Sequence, residues 1–223
     1  MASTALVLQH GPLGPPGVLG TWLSARGIAA EVHPMWEARP RPDPSAFGLV
    51  ASLGSEHSVT QASPAWIGEE LDLLRRAVAA GTPVLGLCFG GQALARVLGG
   101  VVAAIPEPQI GWLPVDTRAA GRIPAGPWLH FHFESFSVPP GAAELARNAA
   151  GPAAFVQGPH LGVQFHPEVT PEIAAAWARV VPGRLEAAGT TPDGLRAAGV
   201  RHGEAAARQA HALFDAWWTG VGA

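Results

Sequence analysis

The sequence predicts an α/β fold: a mostly parallel open sheet with helices on both faces and an antiparallel or mixed edge. Three observations carry this. Strand-like and helix-like segments alternate through roughly the first hundred residues, as parallel strands joined by crossover helices require. From Val101 to Val156 the segments are strand-like, with turns and little helix between them, which suits an edge of the same sheet. Of 223 residues, 48% are hydrophobic and 14% charged, enough apolar material for a substantial core.

The elements follow in order. Thr4 to Leu8 is a short apolar, β-branched run that meets Gly11 and Pro12, a buried first strand. Val18 to Ala25 reads as a helix closed by Gly27. Ala29 to His33 is a second strand before the proline-rich loop Pro34 to Pro44. Phe47 to Leu53 is a third strand, ending at Gly54. Pro64 to Ala80 is a helix, because Trp66, Ile67, Leu71, Leu74 and Val78 share one face and Gly81 follows its end. Pro83 to Leu87 is a fourth strand, and Gly91 to Leu98 a helix stopped by Gly99-Gly100. Val101 to Ile105, Ile110 to Val115, Trp128 to Phe133 and Ala153 to Val156 are the edge strands, and Gly162 to Phe165 is another buried strand. Pro171 to Val180 and Thr191 to Trp218 read as closing helices, the second broken near Gly199 to Gly203. Phe214, Trp217 and Trp218 form an aromatic face suited to helix packing. Residues 1–223 read as a single domain, with no internal repeat and no linker.

Composition removes several chemistries. All 14 basic residues are Arg, so neither a P-loop nor a Schiff-base lysine is available. Tyr is absent, so no tyrosine acid or base can act. The net charge of −3 gives no reason to expect a nucleic-acid or membrane-surface partner. A single cysteine excludes an intrachain disulfide and a four-thiolate zinc site. The N-terminal Met1-Ala2-Ser3-Thr4-Ala5 lacks the basic start of a leader, and no apolar run approaches the roughly 20 residues of a membrane span. A cytoplasmic location is the expectation.

The segment Pro83-Val84-Leu85-Gly86-Leu87-Cys88-Phe89-Gly90-Gly91-Gln92 concentrates the chemistry. A buried strand ends at Cys88 and a helix starts about three residues on, the layout of a nucleophile elbow at the carboxyl edge of a sheet. Gly86, Gly90 and Gly91 allow the close backbone approach such a turn needs. The helix N-terminus favours a thiolate, and the Phe89 N–H is placed to donate to an oxyanion. Taken alone, a cysteine ending an apolar strand is as well read as a buried structural residue. A base elsewhere shifts that balance, and Gly162-Val163-Gln164-Phe165-His166-Pro167-Glu168 supplies one. Pro167 keeps His166 out of the helical region, so the segment is extended and residues two apart share a side. Glu168 can then orient the His166 imidazole, which exchanges a proton with the thiol. Alone, His-Pro-Glu is a strand-closing turn; with the elbow, a Cys88-His166-Glu168 triad explains both motifs.

Gly86-Leu-Cys88-Phe-Gly90-Gly-Gln92 and Gly162-Val-Gln-Phe-His166-Pro-Glu168 resemble the two signatures of class I, triad-type glutamine amidotransferases. The likeness runs from about Phe47 to Val169. Gln109-Ile-Gly-Trp112 and Leu129-His-Phe-His132-Phe-Glu134-Ser-Phe136 are similar to segments of its free-standing, GMP-synthase-like branch. The resemblance implies a flavodoxin-like sheet and a Cys88 thioester to the γ-glutamyl group, with ammonia leaving and water releasing glutamate. It implies that Gln92, Gly54, Ser135 and Phe136 meet the substrate, partly through backbone groups, and that the Ser55 and Phe89 N–H groups form the oxyanion hole. No cofactor and no metal are implied. The substrate is glutamine or a γ-glutamyl small molecule, and the ammonia goes to a separate synthase chain or is simply released.

Two departures stand out. The family usually carries Gly-Gly-Pro after the third strand, where this chain has Gly54-Ser55-Glu56; Ser55 keeps an N–H but tolerates positive φ poorly. Glu134 stands where the branch often has Asp. His130 and His132 are two apart on a strand and would make half a metal site, but no carboxylate or cysteine completes it, so a polar pocket wall is the reading. Two other functions compete. A catalytically silent binding or regulatory module would keep the fold, with the altered Gly54-Ser55-Glu56 as its support. A cysteine peptidase of similar architecture would carry its histidine close behind the nucleophile, where Phe89 stands.

Overall fold

The computed structural model describes residues 4–180 and 182–221; Met1–Ser3, part of the stretch read for a leader, lie outside them. β1 (Thr4–Gln9) is buried along nearly its whole length, with Ala5 and Val7 entering one core and Leu6 and Leu8 another. A strand apolar on both faces must be covered on both sides. β1 lies between β2 (Ala29–Pro34) and β3 (Leu49–Ser52), parallel to each. The crossover helix α1 (Gly17–Ala25) buries Val18, Leu19, Trp22 and Leu23, a helical stripe, on one face. On the other face α2 (Trp66–Ala79) buries Trp66, Ile67, Leu71 and Leu74. At about 2 kcal/mol for each fully buried large side chain, these two layers hold the sheet from both sides.

β4 (Val84–Leu87) runs parallel to β3 and leads directly into α3 (Phe89–Val97). β10 (His160–Val163) returns from far along the chain to pair parallel with β4. The sheet then continues antiparallel through β9 (Gly151–Gln157), β8 (Ala143–Asn148) and β6 (Asp116–Thr117), giving eight strands in the order β2-β1-β3-β4-β10-β9-β8-β6. This is the open, mostly parallel sheet expected, with its antiparallel edge. β4 and β10 are neighbours, so residues leaving their carboxyl ends meet although they lie far apart in sequence.

Of the four edge strands the sequence suggested, Ala153–Val156 lies in the edge, within β9, while Trp128–Phe133 and the two before it do not. Val101–Ile105 and Ile110–Val115 are not two edge strands; they fall in one long β5 (Val102–Leu113) that pairs antiparallel with β7 (Trp128–Phe136) in a separate two-stranded sheet. The register shifts between Ala104 and Gln109, where Pro106 and Pro108 cannot donate to a ladder and so resemble a turn. β8 and the two-residue edge strand β6 lack clear alternation, and the sequence did not reveal them.

α6 (Pro192–Val221) also differs, running unbroken through Gly199 and Gly203. These glycines are a packing face: a Cβ on Gly203 would lie 2.4 Å from Pro171 Cγ, at the start of α4 (Pro171–Val180). A short α5 (Pro182–Ala187), not foreseen, links the two. A third core, including Ile110, Trp112, Leu129, Ala174 and Ala206, seats the β5–β7 pair on α4 and α6. Phe214 and Trp217 are buried against α1 and the sheet, the helix packing expected of them. No described helix is long and apolar enough to cross a membrane.

Candidate active site

Cys88 joins β4 to α3 with φ 52 and ψ −104, the one non-glycine at positive φ among the described residues. Such a backbone costs about 1–3 kcal/mol and persists only where its surroundings impose it. The Cys88 N–H donates to Val163 O of β10 at 2.9 Å, the Gly90 N–H to Leu53 O at 3.1 Å, and the Gln92 N–H to Cys88 O at 2.9 Å. Close approach explains the glycines. A Cβ would lie 2.4 Å from Gly90 O if placed on Gly86, 2.1 Å from Ser52 O if on Gly90, and 2.4 Å from Val163 O if on Gly91.

His166 sits just beyond β10. Its N–H donates to Leu129 O at 2.8 Å, an isolated antiparallel bridge to β7 that holds the segment extended. His166 and Glu168 therefore share a side, with Nδ1 2.8 Å from Glu168 Oε1. Burial on its own would lower the His166 pKa. The Cys88 sulfur and the Glu168 carboxylate outweigh it and push the value up to about 10. Nε2 is buried without a hydrogen-bond partner, and Cys88 acts on the ring through its charge. Catalytic contacts are often loose before substrate binds. Cys88 and His166 thus leave the same end of two neighbouring parallel strands, β4 and β10.

The surroundings fix the pair. The Val18 N–H donates to Glu168 O at 2.8 Å, and Gly17, at φ 49, leaves room where a Cβ would come within 2.2 Å of that oxygen. On Gly54 a Cβ would lie 2.6 Å from His166 Cε1, so the loop after β3 packs on the imidazole. Trp177 of α4 meets the same ring edge-on, centroids 4.8 Å apart. Cys88 is only 5% exposed and His166 3%.

The other anticipated residues fall around this centre. Neither the Phe89 nor the Ser55 N–H donates to another group among the described residues. Ser55 is not at positive φ, so its side chain is no obstacle there. Gln92 is buried, its Nε2 donating to Glu134 O at 3.1 Å, which ties α3 to the end of β7. Ser135 Oγ is buried without a hydrogen-bond partner. The Phe136 ring packs in the core against Phe155, so it has only backbone to offer a ligand.

His130 and His132 are buried, with Nδ1 of the first 3.3 Å from Nε2 of the second. Burial pushes His130 well below its ordinary range and His132 down to about 4, so both are neutral near pH 7. No group of three or more metal-ligating side chains occurs among the described residues.

Four neighbours escaped the sequence. Gln164 donates from Nε2 towards Cys88 Sγ at 3.8 Å and accepts from Gln92 Nε2 at 3.3 Å. The alternation that pairs His166 with Glu168 puts Gln164 on the same side, so its signal was present. Trp177, His10 and Glu70 carried none, because distant elements bring them here.

The sequence profile of the family described as Glutamine amidotransferase class-I matches residues 57–176, more than half of the chain. The chain is similar to a glutamine-hydrolysing GMP synthase of Aeropyrum pernix, 35% identical over 158 residues that cover 64% of this chain and 28% of that protein. The corresponding enzyme of Thermomicrobium roseum is 38% identical over 113 residues, covering 48% of this chain and 20% of that protein. The chain thus spans about a quarter of the length of these relatives. A glutamine amidotransferase crystal structure from Methylobacillus flagellatus superposes with a TM-score of 0.88 at 27% identity, covering 99% of this chain and 96% of that one. One from Thermotoga maritima, at 22% identity, shares the fold with a TM-score of 0.87 over 97% of this chain and 98% of that one.

Proposed function

Because the chain belongs to the class I glutamine amidotransferases, we propose that it hydrolyses the side-chain amide of glutamine or a close γ-glutamyl relative, with Cys88 as nucleophile. The observation that carries this reading is the strained Cys88 elbow set beside a histidine whose other nitrogen is bound to Glu168. In the first half-reaction the Cys88 thiolate attacks the amide carbon, and the carbonyl electrons move onto oxygen. The N–H groups of Phe89 and Ser55 are the donors suited to that oxyanion. The His166 imidazolium gives its proton to the amide nitrogen, the C–N bond breaks, and ammonia leaves a γ-glutamyl thioester on sulfur.

Acylation removes the sulfur's negative charge, one of the two influences holding the His166 pKa up against burial. The histidine therefore turns from acid to base at the point where a base is needed. Neutral imidazole takes a proton from water, the hydroxide oxygen bonds to the thioester carbon, and the C–S bond breaks. The product leaves as glutamate once its γ-carboxyl proton passes to solvent, and the thiolate–imidazolium pair is regenerated. Glu168 keeps the imidazole in one orientation throughout. Gln92, Gly54, Ser135 and Phe136 line the approach for the substrate. The loop after Gly54 is tied to β7 by Ser58 Oγ donating to Glu134 Oε1 at 2.8 Å. The relatives named as GMP synthases favour passing the ammonia to an acceptor over its loss to solvent. Against the silent-module reading, Ser55 is not at positive φ, so its side chain adds no backbone strain to the altered segment.

The test is intact mass spectrometry after mixing with glutamine, together with glutamate release. A γ-glutamyl adduct on Cys88 is expected. Cys88→Ser is expected to lower turnover at least about a thousandfold while its circular dichroism stays native. Undiminished hydrolysis by that variant would sink the assignment.

A further inference from the structure

Beneath the active-site loop lies a buried polar network that the reaction does not use. His10, which follows β1, places Nε2 2.6 Å from Glu70 Oε2 on α2, and both side chains are wholly inaccessible. Glu70 Oε1 accepts from Ser52 Oγ at 2.5 Å. His10 Nδ1 lies 3.0 Å from Gly54 O. The imidazole is stacked on Trp66 at 5.0 Å and tilted against Phe89 at 4.8 Å, inside the core formed with Leu6, Leu8 and Ile67. A hydrogen-bonded acid–base pair in such a place is a poor investment in stability, since apolar side chains of similar volume would commonly do as well or better. Its retained product is the bond to Gly54.

The donors and acceptors decide what that bond does. A carbonyl oxygen can only accept, so His10 Nδ1 carries a proton, and a second proton is shared between Nε2 and Glu70. Glu70 thus fixes both the tautomer and the tilt of His10, and Ser52 fixes Glu70. The Gly54–Ser55 peptide is trans, so its C=O and N–H point in opposite directions. With the carbonyl drawn towards His10, the Ser55 N–H points away from the buried network. The other peptide bordering Gly54 is pinned as well, by Gly90 N–H donating to Leu53 O at 3.1 Å.

We propose that His10, oriented by Glu70 and Ser52, is a positioning residue that holds the Gly54–Ser55 peptide with its N–H aimed at the developing oxyanion. This rests on the function proposed above. It assigns the Gly54-Ser55-Glu56 loop a preorganised geometry set from beneath rather than by a second glycine or a proline in the loop itself.

Two substitutions separate positioning from simple packing. His10→Asn keeps an amide N–H near the Nδ1 position, within reach of Gly54 O, and loses Glu70. His10→Gln keeps a group near Nε2 for Glu70 and loses Gly54. The readout is the rate at which intact mass shows Cys88 labelled by the chloroketone analogue of glutamine, whose carbonyl must develop an oxyanion, divided by the rate with iodoacetamide, which needs none. His10→Gln should lower this ratio at least about tenfold, within the hundred- to thousandfold cost of removing an oxyanion donor altogether, and His10→Asn should restore most of it. Glutamine KM should stay within about twofold in both while kcat follows the ratio. Equal ratios in wild type and His10→Gln, or equal losses in both variants, overturn the positioning role and leave the function intact. A wild-type Cys88 that takes iodoacetamide but not the chloroketone overturns the function, and this inference with it. Should His10→Gln not fold, Glu70→Gln, which leaves His10 in place but loosens it, must lower the same ratio severalfold; an unchanged ratio there refutes the proposal equally.

Discussion

At Cys88 the backbone and the side chain have opposed interests. The side chain must stand at the end of β4 to be reached, and this forces φ to 52, where a Cβ is strained. Glycine alone removes that strain. Cys88→Gly is therefore expected to be at least as stable as Cys88→Ala, by about 1 kcal/mol, in urea denaturation. This reverses the usual cost of glycine. A clearly less stable glycine variant would mean the elbow is relaxed and the hydrogen bonds around it carry no strain. The glycines at 86, 90 and 91 have a different duty. None of them is at positive φ; each lacks a Cβ because a neighbouring carbonyl occupies the space.

Among the elements, α1 has an influence on the site that its distance from Cys88 in the sequence hides. Its first residue, Gly17, touches the carbonyl of Glu168, and Val18 N–H bonds to the same oxygen. The start of α1 is thus a clamp on the segment carrying the carboxylate. Gly17→Ala should cost about 2–3 kcal/mol of stability, from strain and overlap together, and lower glutamine hydrolysis about tenfold or more. Gly27→Ala is the control: φ there is 66, but nothing lies within 4 Å of a new Cβ. It should cost about 1 kcal/mol and leave the rate unchanged. Equal rates in the two variants would show that α1 does not position Glu168. β7 is the clamp on the other side, through Leu129 O on His166 N–H and Glu134 O on Gln92.

For the whole molecule, the buried histidines link folding to pH from two directions. His166 binds its proton more tightly when folded, with a pKa of about 10 against an ordinary 6.5. Its stabilising contribution is full below about 6.5 and is lost as pH rises towards about 10. His130, His132, His160 and His33 are displaced the other way by burial, and the like charges beside some of them add to it. Their neutral forms suit the fold, so stability is lost as pH falls below about 6.5, and for His132 this continues to about 4. Urea midpoints should therefore peak near pH 6.5 and fall on both sides. Cys88→Ala, without the sulfur that helps raise His166, should flatten the alkaline arm and leave the acid arm as it was. An alkaline arm identical in both proteins would remove Cys88 as a cause of the His166 shift.

By itself the sequence determined the alternation of strands and helices, the elbow at Cys88 and the shared side of His166 and Glu168. All three are local: they follow from periodicity, from glycine spacing and from the proline at 167, each read within about ten residues. The structure alone decided that β4 and β10 are neighbours, which brings the thiol to the imidazole, because strand order depends on chain segments far apart in sequence. It alone decided that Val102–Leu113 leaves the main sheet to pair with β7, and that Gly199 and Gly203 are a seat for Pro171 rather than a break. His10 and Glu70, 60 residues apart, gave no local sign of each other, since a buried hydrogen bond between two elements has no period and no spacing to read.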